Sequence, residues 1–200
     1  MMKQLNKTNL GWLILIALMV VVLFVGVSSN VISPFYQITL VTILINVILA
    51  IGLNLVIGFS GQFSLGHAGF MAIGAYSGAI IGDKIEGLPG FFVGLFVGVF
   101  ISIVVALIVG IPTLRLKGDY LAIATLGVAE IIRILILNMG DLTNGARGIS
   151  GISFPFESNM SFIMVLFLIV IVTSIITINY IHSSPGRATI AIREDEIAAE

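Results

Sequence analysis

Two charged residues, Glu130 and Arg133, stand within an otherwise apolar stretch of this sequence and are the first candidates for chemistry. A spacing of three lets their side chains meet on one face of a helix. Because ionised groups are costly in hydrocarbon, such residues face the interior of a bundle or a wet cavity. The pair is therefore either a self-neutralising structural pair or a group that lines or gates a path for a polar solute.

Other polar residues interrupt apolar segments in the same way. His67 lies in Ser-Leu-Gly-His-Ala-Gly, where a satisfied core histidine is the default interpretation. No second histidine or carboxylate stands at a ligand spacing from it, so no metal site is predicted. Asn46 and Asn54 share one apolar segment, where hydrogen bonding between helices is favoured over contact with a solute.

Enzymatic function finds little support in the sequence. His67 and His182 are its two histidines, and no Gly-x-Ser-x-Gly nucleophile motif occurs. The chain also lacks the Gly-x-x-x-x-Gly-Lys-Ser/Thr loop that cradles nucleotide phosphates. No catalytic residue and no cofactor are predicted, and transport driven by ATP would require hydrolysis by another polypeptide.

The composition places the chain in the membrane class. Hydrophobic residues make up 58% and charged residues only 10% of the 200 residues, with a mean hydropathy of +1.19. Soluble domains have about 25% charged residues, because their surfaces face water. The nine Lys and Arg residues are scattered and form no stripe for nucleic acid. The chain contains no cysteine, which excludes disulfides and thiolate metal sites.

The predicted fold class is an all-α polytopic integral membrane protein with about six transmembrane helices. A helix needs about 20 apolar residues to cross the bilayer. The predicted spans are residues 10–27, 35–57, 63–81, 88–111, 120–139 and 162–181. We interpret 10–27 as a retained span, since it is longer than the apolar core of a signal peptide and no Ala-x-Ala site follows it. Residues 1–181 then form the transmembrane domain.

The third predicted span, 63–81, is rich in glycine and follows the second after only residues 58–62. The two form a tight helical hairpin, or part of the stretch is broken or re-entrant; both alternatives keep its glycines away from lipid. Counting six spans from a cytoplasmic N-terminus satisfies the positive-inside bias. The inner basic residues would be Lys3, Lys7, Arg115, Lys117, Arg187 and Arg193, and the outer ones Lys84 and Arg147.

Glycines recur every fourth residue in two consecutive spans. Small residues at this spacing let helix backbones approach closely in a membrane. We expect both faces to be packing interfaces, within the chain or with a partner. The glycines are Gly74, Gly78, Gly82, Gly90, Gly94 and Gly98.

The chain changes character after the last predicted span. Residues 182–200 are predicted to be cytoplasmic, with Ser184 as a helix cap before Pro185 and a short amphipathic helix beginning near Ala188. Acidic residues outnumber basic ones beyond position 190, whereas helices that lie on lipid favour Lys and Arg. Docking into a protein groove is therefore favoured.

Three motifs in this order resemble the branched-chain amino acid permeases of ABC importers, most closely the M-type subunit. The resemblance covers roughly residues 35–200, and urea and amide permeases share much of the pattern. The motifs are Gly-Leu-Asn-Leu-Val-Ile-Gly-Phe-Ser-Gly-Gln-Phe-Ser-Leu-Gly-His-Ala-Gly (52–69), Lys-Gly-Asp-Tyr-Leu-Ala-Ile-Ala-Thr-Leu-Gly (117–127) with Leu-Thr-Asn-Gly-Ala-Arg-Gly (142–148), and Gly-Arg-Ala-Thr-Ile-Ala-Ile-Arg-Glu-Asp-Glu-Ile-Ala-Ala-Glu (186–200).

This resemblance implies a partial ABC-importer permease fold in the bacterial inner membrane and a division of labour. A second permease subunit would share the path, two ABC ATPase subunits would drive it, and an extracytoplasmic binding protein would capture the solute. The last motif would be the coupling helix seated in the ATPase. The residues to which this role carries over are Gly186, Arg187, Arg193, Glu194, Glu196, Ala198, Ala199 and Glu200.

The resemblance assigns no substrate contact. The candidates for the translocation path are Asn46, Asn54, Gln62, Ser64, His67, Glu130 and Arg133. Since the sequence stops inside the last motif, we also expect the coupling loop to be incomplete and the chain to be truncated. The alternatives are a permease for urea or short amides, an ion-coupled secondary transporter using the Glu130–Arg133 pair, and a non-transporting membrane scaffold.

Overall fold

The computed structural model describes residues 33–113, 115–116, 118–152, 156 and 158–194, with only the backbone of Glu194. Every regular element in these ranges is helical. The elements are α1 (Pro34–Asn54), which continues into a π-helical turn (Leu55–Phe59), α2 (His67–Lys84), α3 (Gly87–Thr113), α4 (Asp119–Asn138), α5 (Gly140–Thr143), a 3-10 turn (Gly145–Arg147), α6 (Asn159–His182) and α7 (Ser184–Glu194).

Four helical stretches in the described ranges are long and apolar enough to cross a membrane. They are Pro34–Phe59, Gly87–Thr113, Asp119–Asn138 and Asn159–His182. These four fall where the sequence predicts spans, which confirms an all-helical polytopic membrane protein. The predicted span 10–27 lies outside the described residues.

The third predicted span is helical over a different range than expected. The helix begins at His67 rather than Phe63, because residues 61–65 form a non-helical connection. Gly61 has a positive φ of 68°, and the backbone N–H of Leu65 donates to Thr125 Oγ1 of α4 instead of to its own helix. α2 has 18 residues, a length of roughly 27 Å at about 1.5 Å per residue.

Helices α2 and α3 pack closely and run antiparallel through their glycines. A Cβ added at Gly94 would lie 3.0 Å from the Gly78 Cα, and one added at Gly98 would lie 3.3 Å from the Gly74 Cα. Gly90, Gly94 and Gly98 are all buried. Because these positions have no side chain, the two helix backbones come into contact and gain van der Waals attraction. Such packing matters in a membrane, since the hydrophobic effect does not drive helices together in lipid.

Helices α1 and α6 form a second pair around a small apolar cluster. Leu44 of α1 packs with Ile163 and Leu166 of α6, and all three are buried. At the end of this pair, Asn159 Nδ2 donates to Gln37 Oε1 over 3.0 Å. This bond supplies a partner for the buried Gln37 amide, which would otherwise be costly to place there.

Candidate translocation path and coupling helix

The end of α1 is a π-helical turn that leads into a short loop. The backbone N–H of Ser60 donates to Leu55 O over 3.3 Å, and that of Gln62 donates to Val56 O over 3.3 Å. These wide turns end the helix at Gly58 and Phe59, so the last carbonyls have no regular helical donor and must find other partners. π-helical turns of this kind are frequent at functional sites.

Helix α7 supplies one of those partners. Arg193 Nη1 donates to the Gly58 carbonyl over 2.9 Å, joining residues 135 positions apart in sequence. The aliphatic stem of the same side chain lies over Gly61, where an added Cβ would come within 2.6 Å of Arg193 Cγ. A guanidinium at the C-terminal end of a helix is also favoured by the helix dipole.

The other end of α7 is fixed to α6. Gly186 is buried, and a side chain there would collide with the carbonyl of Tyr180. Tyr180 Oη and Thr189 Oγ1 are 2.9 Å apart, and Arg187 Nη1 donates to His182 O over 2.8 Å. α7 is thus held at its first turn by α6 and at its last turn by the π-helical turn.

The predicted cap of α7 is wrong by one residue. Ser183 is the cap, because its Oγ accepts from the backbone N–H of Gly186 over 3.2 Å and its carbonyl accepts from the N–H of Arg187. Ser184 is the first helical residue. The sequence does not show which of the two adjacent serines is the cap. The hydrogen bond from the N–H of Gly186, the third helical residue, to Ser183 Oγ identifies Ser183.

The loop between the π-helical turn and α2 contacts α4. Leu65 N–H donates to Thr125 Oγ1 over 2.9 Å, and a Cβ added at Gly66 would lie 3.2 Å from Thr125 O. One turn into α2, a Cβ at Gly69 would lie 3.0 Å from the Ala129 Cα. These contacts place the loop and the first turn of α2 against the helix that carries Glu130.

His67 begins α2 at this point. Its Nε2 is buried and has no hydrogen-bond partner among the described residues, and its ring edge lies near Gly52 of α1, where an added Cβ would be 3.5 Å from Cε1. A buried polar atom left in this way needs a partner from outside these residues, such as water or a solute. Within the described part of the chain, His67 is the path candidate with a buried side-chain atom that lacks a hydrogen-bond partner.

The remaining polar candidates differ in their surroundings. Asn46 Nδ2 donates to the Thr42 carbonyl of its own helix over 2.8 Å, and the side-chain oxygen of Asn54 lies beside Gly58 in the π-helical turn. Ser64 Oγ accepts from the N–H of Gly66 over 3.4 Å. Asn54, Gln62 and Ser64 therefore lie immediately before or after the π-helical turn, whereas Asn46 lies about two turns earlier in α1.

Glu130 and Arg133 form a bidentate ion pair in the second half of α4. Arg133 Nε donates to Oε2 over 2.9 Å, and Nη2 donates to Oε1 over 2.6 Å. The side chains are 51% and 62% exposed in the described part of the chain. Lipid cannot solvate such a pair well, so this face of α4 requires cover by protein or access to water.

Apolar helices that pack through glycine, with an ion pair held on one of them, are typical of a polytopic membrane protein. The family model described as branched-chain amino acid transport system, permease component, matches residues 35–200, and the chain belongs to this family. It is a multi-pass protein of the bacterial inner membrane.

Two curated relatives agree with this assignment. The chain is similar to the high-affinity branched-chain amino acid transport system permease protein LivM of Salmonella typhimurium, with 37% identity over 184 residues. It is equally similar to the protein of that name from Escherichia coli. Each match covers 78% of this chain and 43% of the relative, so the chain spans less than half the length of these relatives. No solved structure matches the chain.

The structure brings some of the predicted site residues together. It brings Gly186, Arg187 and Arg193 onto one short helix beside the loop that bears Gln62 and Ser64. The structure does not describe the other predicted coupling residues, which are Glu196, Ala198, Ala199, Glu200 and the side chain of Glu194. Sequence reasoning missed Thr125, Tyr180 and Thr189, which hold the loop and α7; small polar residues of this kind on apolar helices are the signal that could have found them.

Proposed function

We propose that this chain forms part of the membrane path of an ABC importer for leucine, isoleucine and valine. The observation that carries the proposal is the family match over residues 35–200, whose description is a branched-chain amino acid permease. The names of the two relatives support the same solute class. ATP hydrolysis is assigned to a partner subunit, because the chain has no phosphate-binding loop of the Gly-Lys-Ser/Thr type.

The proposed assembly contains a second permease subunit, two ABC ATPase subunits and an extracytoplasmic solute-binding protein. The exposed Glu130–Arg133 face of α4 supports the presence of a second permease subunit, since a neighbouring membrane protein would supply the polar surface that lipid lacks. On this account the ion pair lies at or near the shared path, with Asn54, Gln62, Ser64 and His67 toward its cytoplasmic end.

The proposed topology has six spans, a cytoplasmic N-terminus and a transmembrane domain of residues 1–181. The contact between Arg193 and the Gly58 carbonyl supports this topology, because six spans place both the end of α1 and α7 on the cytoplasmic side. The antiparallel packing of α2 on α3 likewise supports a crossing by α2. Arg187 and Arg193 then add to the cytoplasmic positive charge.

The proposed role of α7 and the residues after it is to couple the permease to the ATPase. α7 has an inward stripe of Gly186, Thr189 and Ile190, and an exposed outer face with Ala188, Ala191 and Ile192. An exposed isoleucine beside two alanines is suited to a cleft in a partner protein. Movement of this helix by the ATPase would then alternate access to the path.

Solute uptake in bacteria that lack their own branched-chain uptake tests the proposal. The chain is expressed with the ATPase, second permease and binding protein of a branched-chain importer, and radiolabelled leucine and urea are offered separately. We expect leucine uptake that disappears when the ATPase is inactivated. Urea uptake through a urea-binding protein alone would assign the chain to the amide permeases, and uptake that survives ATPase inactivation would favour an ion-coupled transporter.

A further inference from the structure

The inward stripe of α7 ends at Arg193. Gly186 is buried, Thr189 and Ile190 are half-buried, and Arg193 follows at the same helical spacing. Although Arg193 stays exposed overall, its stem and guanidinium are directed toward the permease rather than toward the outer face that carries Ile192. The side chain is therefore placed to act within this chain.

The contact that Arg193 makes requires the local backbone of the π-helical turn. A regular helix through residues 58–62 would use the Gly58 carbonyl internally; here that carbonyl accepts from Arg193. Gly61 adopts φ 68° and offers no Cβ, so the stem of Arg193 can lie directly on its backbone. Two independent features of the turn thus create one seat for this side chain.

The seat is joined to the middle of the membrane domain by the loop that follows. Four residues after Gly61, the N–H of Leu65 is bonded to Thr125, and Gly69 of α2 contacts Ala129 beside Glu130. A displacement of the Gly58–Gly61 turn would therefore be passed to α2 and α4 through short backbone contacts rather than through a flexible linker.

We propose that Arg193 is a positioning residue that clamps α7 to the Gly58–Gly61 turn, so that α7 and the loop leading to His67 move as one body. The inference rests on the proposed coupling role of α7. It assigns Arg193 a role distinct from seating the ATPase: the outer face of α7 binds the partner, and Arg193 transmits the motion inward.

A disulfide tests the geometry independently of transport. The sequence contains no cysteine, so Gly61→Cys with Arg193→Cys introduces the sole pair. A Cβ at position 61 would lie 3.3 Å from the Arg193 Cβ, close to the separation of about 3.5–4.5 Å in disulfides. We expect an oxidant to cross-link this pair in membranes. Gly118→Cys with Arg193→Cys is the control, since nothing lies within 4 Å of a Cβ at Gly118; equal yields would overturn the proposed contact.

The same double-cysteine variant tests the clamp. In reduced form it lacks the guanidinium, so we expect leucine uptake to fall by about tenfold, the order of effect of losing one charged hydrogen bond. Oxidation replaces the clamp with a covalent bond and should restore much of the uptake, with reversal by a thiol. Cross-linking without any recovery would overturn the clamp, whereas absence of uptake by the unmodified chain would instead concern the proposed function.

Co-purification of the ATPase separates the two faces of α7. We expect Arg193→Ala to retain the bound ATPase and to hydrolyse more ATP for each leucine imported, because the partner still docks but its motion is not transmitted. Ile192→Asp, on the outer face, should release the ATPase. If Arg193→Ala released the ATPase as Ile192→Asp does, Arg193 would be a docking residue and the clamp would be wrong.

A double-mutant cycle gives a further independent check. Gly61→Ala both strains the positive φ and collides with the stem of Arg193, whereas Gly118→Ala, at φ 57°, adds the strain alone. We expect Gly61→Ala to reduce uptake more than Gly118→Ala in the unmodified background, and only about as much as Gly118→Ala once Arg193→Ala has removed the stem. Equal effects of Gly61→Ala in both backgrounds would contradict the clamp.

Discussion

The α2–α3 interface and the exposed Glu130–Arg133 face of α4 both belong to the membrane domain, but their side chains suit different surroundings. At the interface, Gly94 and Gly98 bring the α3 backbone against Gly78 and Gly74 of α2. On α4, Glu130 and Arg133 remain more than half exposed in the described part of the chain. One surface is completed within the chain, whereas the other requires something beyond it.

The comparison shows which side-chain property sets the surroundings of each helix. Removal of side chains allows backbone contact, which is stable in lipid without any partner. Charged side chains on an apolar helix satisfy each other but still need a polar environment. The closely packed α2–α3 pair is therefore suited to serve as a scaffold, and the exposed α4 face is suited to contact a second subunit or a water-filled path.

The largest effect is expected from separating the ion pair. Glu130→Gln leaves Arg133 without its carboxylate partner, and an unpaired arginine on an apolar membrane helix is costly. We expect less protein in the membrane fraction and lower leucine uptake. An unchanged amount and unchanged uptake would show that this face of α4 meets open water.

The double variant Glu130→Gln with Arg133→Gln separates the two interpretations of the pair. It removes both charges, so we expect the amount of membrane protein to recover. Recovery of uptake as well would make the pair structural, since no step would then need its charge. Recovery of the protein without uptake would place the pair on the solute path.

A smaller effect is expected at the glycine interface. Gly94→Leu would force side-chain atoms into the α2 backbone, where even a Cβ lies 3.0 Å from the Gly78 Cα. Overpacking of this kind costs about 1–3 kcal/mol, measured as a lower melting temperature in detergent. Gly110→Leu on the same helix is the control, because no atom lies within 4 Å of its Cβ position; equal destabilisation would contradict the interface.

The smallest effect is expected on the opposite side of the same contact. A Cβ added at Gly78 meets nothing within 4 Å, so Gly78→Ala should change the free energy of unfolding by no more than about 0.5 kcal/mol. Gly94→Ala should be clearly more destabilising in the same melting experiment. If the order were reversed, α3 would not be the helix whose glycines set the approach.

The length and hydropathy of apolar runs predict the apolar helices well, because these two properties decide whether a helix can cross lipid. The four candidate spans in the described residues fall at predicted positions. α2 begins at His67, four residues after the start of the predicted span, because tertiary contacts of Gly61 and Leu65 override the apolar character of residues 63–66. Hydropathy carries no information about such contacts.

The region of α7 was predictable in composition but not in its tertiary contacts. The amphipathic pattern predicts a short helix from Ala188 to Glu200; α7 begins earlier, at Ser184, and is described as far as Glu194. The bond between Arg193 and Gly58 joins residues 135 positions apart, and it depends on a π-helical turn that no local pattern announces. Contacts set by long-range packing become visible only in the structure.

The most direct test of the central claim is a chimera that carries residues 35–200 of this chain in place of the matching segment of the Escherichia coli relative. The chimera supplies the parts of the relative that this chain does not span, together with its natural partners. The account predicts ATP-dependent leucine uptake well above that of cells lacking the permease. A chimera that reaches the membrane and binds the ATPase, yet imports no branched-chain amino acid, would contradict it.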